Sequence, residues 1–186
     1  MRLQSSGYRA MVWKNGQGIT HEIAREPALG DAFLWRLSIA EVAADGDFSL
    51  FPGADRTITL IEGQGMDLDF DEAPGKRLDR RFLPFNFAGD WHCRCRLIDG
   101  PIRDFNLMVD RTQVRAETLV LRLSDTPVEA EIADGRIFVY CGEGELRAGG
   151  FAAHAGDTLN LRPGRHVIAG PGALAIVMRL HMRRGR

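Results

Sequence analysis

The stretch ITLIEGQGMDL, residues 58–68, contains a strand-like run, a Gly-Gln-Gly turn and the start of a second strand-like run. A stretch of the same design, IFVYCGEGEL, occupies residues 137–146, and the first glycines of the two turns lie 79 positions apart. Pro84 and Pro163 are separated by the same 79 positions. Two landmarks at one offset predict a duplicated β unit, with a hairpin at each GxG and a later strand entered through the proline. A chance coincidence is the alternative.

The GxG turns do not match a nucleotide-binding fingerprint. That fingerprint needs a third glycine and the start of a helix, where backbone N–H groups meet a pyrophosphate. Both turns in this chain run on into strand-like sequence. Glycine's tolerance of positive φ in tight turns is therefore the better explanation of the motif.

Hydrophobic alternation with a period of two continues through the rest of the chain. It is clear in FLWRLSIAEV (33–42), FNLMV (105–109), TLVLRL (118–123) and ALAIVMRL (173–180), and this period is typical of strands. Clusters of Gly, Pro and Asp separate the runs at the spacing of a sandwich or barrel, and long helical patterns are missing. The sequence predicts an all-β protein of antiparallel strands with little helix.

Charge and composition narrow the classes of partner. Lys and Arg number 24 and Asp and Glu number 25, so the net charge of -1 gives no reason to expect nucleic acid or an anionic membrane. No apolar run approaches the roughly 18 residues of a membrane span, and MRLQSSGYRA lacks the apolar core of a signal peptide. Three cysteines suit a reducing compartment better than a disulfide framework. We therefore expect a cytoplasmic protein.

Three blocks of sequence stand out together, and they are WKNGQGITHEIA (13–24), FSLFPGADR (48–56) and FAGDWHCRCRLIDGPIRDFNLM (87–108). They resemble the HutD/Ves family of the cupin superfamily. Members of the family carry the motifs WKNGG, FPGxDR, FxGD and GPxxDFNxM in this order. In this chain Gln17 stands where the family usually has the second glycine of WKNGG.

The resemblance implies a two-barrel cupin of the RmlC-like jelly-roll type. Residues 1–186 would form a single bicupin unit, with approximately 1–112 as the N-terminal barrel and 113–186 as the C-terminal barrel. An exchange of strands between the barrels stays open.

Most enzymatic cupins hold a metal through three His and a Glu, and this chain lacks that pattern. The HxH position after DGDFSLF holds Pro52, Gly53 and Ala54, and His166 stands alone after RPGR. One imidazole does not supply the three or four donors that Fe or Zn needs. We interpret His166 as a packed or capping residue and predict neither a metal nor another cofactor.

The segment His92-Cys93-Arg94-Cys95 is a second place to look for reactive groups. Alternation along a strand puts Cys93 and Cys95 on one face and His92 on the other. Two small buried residues is the favoured interpretation, and a thiolate pair completed by Cys141 is the alternative. No GxSxG elbow supplies a nucleophile, so the sequence favours a binding protein over an enzyme.

Polar residues in the family blocks alternate with apolar ones. Asp104 and Asn106 share one face of a strand, and Arg36 shares a face with Ser38 in the same way. Each polar face either lines a pocket or faces solvent. Both remain open, because an antiparallel sheet with one solvent-exposed side gives the same alternation as a sheet that lines a pocket.

The WKNGQG segment predicts a hairpin turn, because Asn-Gly readily adopts positive φ. The resemblance implies that its Trp, Lys and Asn hold a small carboxylate. Arg56 could add a guanidinium group that binds a second carboxylate through two hydrogen bonds. The predicted ligand-binding residues are Trp13, Lys14, Asn15, Thr20, Glu22, Arg36, Arg56, Asp104 and Asn106.

Three functions are possible. The first is a metal-free cupin that binds a small anionic metabolite; the resemblance implies a regulatory role in histidine utilisation, with formylglutamate or urocanate as the ligand. The second is a cofactor-free isomerase or epimerase that uses one His or carboxylate as general base. The third is an interaction module that forms a homodimer without a ligand.

Overall fold

The computed structural model of this chain describes residues 1–13, 16–30 and 32–183. Strands take up 62% of the described residues and helix 2%, which confirms the all-β prediction. The one short helical element in the described ranges is a 3-10 turn at Ser5–Gly7. No helix in those ranges is long and apolar enough to cross a bilayer.

Nineteen strands follow one another along the described part of the chain. The first eleven are β1 (Arg2–Leu3), β2 (Arg9–Val12), β3 (Gly18–Pro27), β4 (Phe33–Val42), β5 (Gly46–Asp47), β6 (Ala54–Glu62), β7 (Met66–Phe70), β8 (Lys76–Leu78), β9 (Phe85–Ala88), β10 (Cys93–Leu97) and β11 (Ile102–Asp110). The remaining eight are β12 (Val114–Arg122), β13 (Val128–Ile132), β14 (Arg136–Glu143), β15 (Glu145–Ala148), β16 (Phe151–His154), β17 (Thr158–Leu161), β18 (Gly164–Ala169) and β19 (Leu174–Met182).

The chain divides into two compact units, and each contains two antiparallel sheets. The N-terminal unit is Arg9–Thr112, and the C-terminal unit is Met1–Tyr8 with Gln113–Arg186. The first eight residues therefore group with the C-terminal unit, although the approximate sequence boundary assigned them to the N-terminal barrel. The reason is local pairing: β1 pairs with β17, and Arg2 contacts Asp157 at 2.7 Å.

Strand order shows that the two units are copies of one topology. The N-terminal unit has the orders β2-β3-β4-β11-β6-β9 and β5-β10-β7-β8. The C-terminal unit has the orders β1-β17-β14-β19-β12 and β13-β18-β15-β16. The order β4-β11-β6-β9 is repeated as β12-β19-β14-β17, and the four-stranded sheets match strand for strand. The predicted duplication is therefore present, and each unit is a double-sheet jelly roll.

The GxG turns do not close hairpins, so that detail of the prediction was wrong. Gly63 and Gly65 join β6 to β7, and these strands belong to different sheets of the N-terminal unit. Both glycines have positive φ, +92° and +119°. A Cβ at Gly65 would lie 2.3 Å from the carbonyl oxygen of Leu78. Glycine is needed because the chain crosses between sheets through a passage with no room for a side chain.

The prolines are not equivalent landmarks. Pro84 precedes β9, whereas Pro163 follows β17, which is the counterpart of β9. The first residues of β7 and β15, Met66 and Glu145, keep the offset of 79, but β9 and β17 begin only 73 positions apart. The segment from β7 to β9 is longer than the segment from β15 to β17, so the offset of 79 no longer relates equivalent residues beyond β7. The equal spacing of the two prolines is therefore a coincidence.

Each unit has its own apolar core between its sheets. Cys93 and Cys95 belong to the N-terminal core, which also contains Met66 and Leu68, and Cys141 belongs to the C-terminal core. All three are free and buried, and burial raises the pKa of the Cys93 and Cys95 thiols to about 12. The prediction of buried apolar cysteines is confirmed.

Candidate ligand-binding site

A cavity of about 540 Å³ lies within the N-terminal unit, against one face of its six-stranded sheet. Strands β4, β6 and β11 lie side by side there, and their registers align the polar residues. Asn106 pairs with Ser38 on one side and with Ile58 on the other. Two residues further along β11, Met108 pairs with Arg36 on β4 and with Arg56 on β6. Side chains two positions apart on a strand share a face, so the polar groups of neighbouring strands point into one cavity.

Three of these side chains form a buried chain of hydrogen bonds. Arg56 Nη2 donates to Asn106 Oδ1 at 3.2 Å, and Asn106 Nδ2 donates to Asp104 Oδ1. Arg56, Asn106 and Asp104 are only 6%, 4% and 1% exposed. The amide therefore links the cation to the carboxyl group inside the protein.

Arg56 is enclosed by aromatic rings. Its guanidinium carbon lies 4.7 Å from the ring centroid of Phe87, 5.4 Å from that of Phe48 and 5.5 Å from that of Phe51. Nη1 reaches the carbonyl oxygen of Ser49 at 3.5 Å, but Nε has no partner among the described residues. Burial lowers the pKa of Arg56 to about 10, so it remains a cation at neutral pH, and ring contacts stabilise it there.

Asp104 is the other ionisable group of the chain of hydrogen bonds. Desolvation raises the pKa of its carboxyl group to about 7, although attraction to Arg56 and the Asn106 hydrogen bond oppose the shift. Its Oδ2 is buried without a hydrogen-bond partner in the part of the protein that the structure describes. A carboxyl group in this state can accept or donate a hydrogen bond near neutral pH.

A second arginine is positioned by an ion pair. Arg36 Nε donates to Glu22 Oε2 at 2.8 Å, and the two side chains are only 15% and 12% exposed. Arg36 lines the cavity, whereas Glu22 reaches it through this contact. Glu22 on β3 thus fixes the orientation of an arginine on β4.

The β2–β3 hairpin contributes an aromatic residue to the cavity. Trp13 Nε1 donates to Thr20 Oγ1 at 2.8 Å, and both residues line the cavity. A Cβ at Gly18 would lie 3.0 Å from the Trp13 ring, so this glycine leaves room for the indole. Gly16 has a φ of +70°, as the hairpin prediction requires.

The structure brings together six of the nine predicted ligand-binding residues. Those that line the cavity are Trp13, Thr20, Arg36, Arg56, Asp104 and Asn106. Lys14 and Asn15 lie outside the described residues, so the structure gives no position for them.

Sequence reasoning missed the part of the wall contributed by β5 and the segment that follows it. The residues missed there are Asp47, Phe48, Ser49 and Phe51. Two of them are aromatic members of the FSLFPGADR block, which is the signal that could have found them.

The described His, Cys, Asp and Glu side chains do not cluster in a way that would hold a metal ion. Across residues 1–13, 16–30 and 32–183, no group of three or more His, Cys, Asp or Glu side chains is arranged to hold a metal ion. His166 Nε2 lies 2.9 Å from the carbonyl oxygen of Arg162, a contact that suits a packed histidine.

The HutD family model matches residues 5–176. The chain belongs to the HutD family. The match extends across both units, so the resemblance found in the three blocks of the N-terminal half is confirmed.

Relatives of this HutD-family chain occur in several bacteria. It is 44% identical over 118 residues to an uncharacterized 21.2 kDa protein in the hutC 3' region of Pseudomonas putida, an alignment that covers 61% of this chain and 60% of that protein. The alignment thus spans less than two thirds of that relative. It is 38% identical over 136 residues to protein Ves of Citrobacter koseri, covering 73% of this chain and 70% of Ves.

Solved structures agree with the fold. HutD from Pseudomonas fluorescens SBW25 matches with a TM-score of 0.89 and 32% identity over 99% of both chains. A cupin 2 conserved barrel domain protein from Leptotrichia buccalis matches with a TM-score of 0.60 and 10% identity, over 93% of this chain and 92% of that one. The second likeness concerns the fold alone, and it confirms the predicted cupin fold.

Proposed function

We propose that this HutD-family cupin binds a small carboxylate in the N-terminal cavity and acts as a regulator in histidine utilisation. The observation that carries the proposal is the buried Arg56–Asn106–Asp104 chain on the cavity wall. A net charge of -1 gives the whole protein no general attraction for anions. Selective capture therefore requires local cations such as Arg36 and Arg56.

The charges of the cavity favour an anion. Arg56 keeps its positive charge at neutral pH, while Asp104, with a pKa of about 7, is neutral in a large fraction of molecules. The unpartnered Arg56 Nε and Asp104 Oδ2 mark hydrogen bonds that the described residues do not complete. A carboxylate provides acceptors for the guanidinium groups, and charge-assisted bonds of this kind are the stronger ones.

The nature of the ligand is inferred from the family. The Pseudomonas putida relative is described by its place in a hutC region, which supports a link to histidine utilisation. Formylglutamate and urocanate are the carboxylates of that context that we propose as ligands. The aromatic surface of Trp13 suits a flat or unsaturated ligand body.

A thermal-shift screen tests the proposal. Urocanate, formylglutamate and unrelated carboxylates would each be compared with the corresponding neutral amide. A ligand at 100 times its Kd raises the free energy of unfolding by about 2.7 kcal/mol, so a binding carboxylate should raise Tm and its amide should not.

Two variants test whether the rise in Tm comes from a ligand in the N-terminal cavity. The rise in Tm should be lost in Arg36→Gln and kept in Arg77→Gln, because Arg77 is an exposed arginine paired with Asp67, away from the cavity. Equal shifts from acids and amides, or no shift from any acid, would refute carboxylate binding and favour an interaction module.

One observation favours an isomerase or epimerase as a second candidate. Asp104 is a buried carboxyl group with a pKa of about 7 on a cavity wall, which suits a general base at neutral pH. Proton NMR in D2O would show exchange of a ligand C–H in the presence of the native protein and not of Asp104→Asn. Binding without exchange would leave the regulator as the function.

A further inference from the structure

A second cavity, of about 460 Å³, lies within the C-terminal unit. It is bounded by the first residue of β14, the β15–β16 turn, the end of β17 and β18. The lining residues that matter for its chemistry are Arg136, Arg162, His166, Phe151 and Gly149. The proposed function does not involve this cavity, although Arg162 and His166, which line it, belong to the RPGRH segment of the sequence.

The cavity carries a positive charge. Six other arginines of the C-terminal unit each lie at salt-bridge distance from a carboxylate; they are Arg2, Arg115, Arg122, Arg147, Arg165 and Arg179. Arg136 and Arg162 have no side-chain hydrogen bond or ion pair to any residue that the structure describes. Within the same described ranges, no Asp or Glu lines the cavity. Two uncompensated guanidinium groups therefore share one concave surface.

The rest of the wall is shaped for a compact ligand. His166 Nε2 donates to the Arg162 carbonyl oxygen at 2.9 Å, which fixes the imidazole plane. A Cβ at Gly149, where φ is +58°, would lie 2.7 Å from Leu161 Cδ2 and 3.4 Å from His166 Nδ1, so the glycine keeps this corner open. The ring of Phe151, a residue that is 43% exposed, adds an apolar surface.

We propose that this second cavity binds a phosphomonoester with an apolar or aromatic body. A phosphomonoester carries a charge of about -1.5 to -2 at pH 7, which matches two guanidinium groups, whereas a monocarboxylate would balance only one. The planar arginine fork also suits phosphate oxygens. The body of the ligand would lie against Phe151.

Titration of the ¹⁵N-labelled full chain tests this site with three probes: phenyl phosphate, inorganic phosphate and benzoate. Phenyl phosphate should shift the amide signals of Gly149, Gly150 and Leu161 and bind most tightly. Inorganic phosphate should shift the same signals at higher concentration, and benzoate should bind at least tenfold more weakly than phenyl phosphate. Added salt should weaken the binding, because these charges are exposed to solvent.

Variants separate a built site from general attraction. Arg136→Gln and Arg162→Gln should each weaken phenyl phosphate binding about ten- to hundredfold, and Phe151→Ala should remove its advantage over inorganic phosphate. Arg147→Gln is the matched control, because Arg147 is an exposed arginine of the same unit outside the cavity. Arg56→Lys should leave these shifts unchanged, which separates the site from the N-terminal cavity.

Two results would overturn the proposal. One is a native protein whose Gly149, Gly150 and Leu161 signals do not move with phenyl phosphate, or move equally with benzoate. The other is wild-type affinity in both arginine variants. If a variant does not fold, the mapping and ranking of probes on the native chain decide.

Discussion

Arg56 donates from Nη2 to Oδ1 of Asn106 at 3.2 Å, and this contact turns the amide nitrogen of Asn106 toward Asp104. The two residues lie on the neighbouring strands β6 and β11 and are both buried. A buried cation is costly unless it has polar partners or aromatic contacts, and Arg56 has both. The cavity thus holds a permanent cation beside a carboxyl group whose charge changes near neutral pH.

Arg56→Lys should weaken carboxylate binding about ten- to hundredfold, because the variant keeps the charge and loses the fork that makes a charge-assisted hydrogen bond. Titration calorimetry would measure the change. Arg77→Lys, on the exposed surface of the same unit, serves as the control. Wild-type affinity in Arg56→Lys would contradict the role assigned to the guanidinium.

Arg56→Ala should also destabilise the protein. The Arg56 guanidinium group is packed against three aromatic rings. Its removal leaves a void and an unpartnered Asn106 Oδ1, so the free energy of unfolding should fall by roughly 2–4 kcal/mol. Urea unfolding checks this, and a change below about 0.5 kcal/mol would contradict the packing described.

Asp104 should make the protein less stable as pH rises. Its pKa is raised to about 7 in the folded state, above the value of about 4 of an unfolded chain. The folded protein therefore binds the proton more tightly, and the penalty for ionising the group develops between about pH 4 and pH 7. Urea unfolding at pH 5 and pH 8 should show a loss at pH 8, on the order of a few kcal/mol, that Asp104→Asn lacks. Parallel pH profiles for the two proteins would argue against the raised pKa.

Thr20→Val should weaken ligand binding several-fold and change the tryptophan emission. The variant is close to isosteric but loses the hydrogen bond from Trp13 Nε1, leaving a partly buried donor unpaired. Thr57→Val removes an exposed hydroxyl that contacts Asn86 and provides the control for both fluorescence and affinity. If the two variants behave alike, Trp13 is not held by Thr20 in solution.

Binding should not depend on a transition metal. The sequence lacks the cupin ligand set, and His166 contacts a carbonyl oxygen in place of other metal donors. Elemental analysis of the purified protein should find no stoichiometric Fe, Ni, Mn or Zn, and a chelator should leave Tm unchanged. About one such metal per chain would overturn this prediction.

The fold was predictable from the sequence where the signal is local. Alternation of apolar and polar residues identifies strands such as β4 and β11, because side-chain direction depends only on the strand itself. The partner of a strand depends on distant residues. The Gly63–Gly65 turn therefore predicted two strands correctly but assigned them to one hairpin, when they lie in different sheets.

The site was predictable to a similar extent. Alternation placed Asp104 and Asn106 on one face, and the registers then aligned that face with Arg36 and Arg56. Sequence could not show that Arg56 is buried, because the rings that enclose it include Phe87, which is 31 positions away. Nor could it show the open Oδ2 of Asp104, since that state depends on what the folded chain fails to place beside it.

Titration calorimetry of the full chain with urocanate and formylglutamate, each against its neutral amide, tests most directly whether the N-terminal cavity captures a carboxylate. We predict that at least one acid binds with one site per chain, and that its amide binds at least tenfold more weakly, because only the acid makes charge-assisted bonds to Arg36 and Arg56. Failure of both acids to bind, or equal affinity for acid and amide, would contradict the proposal.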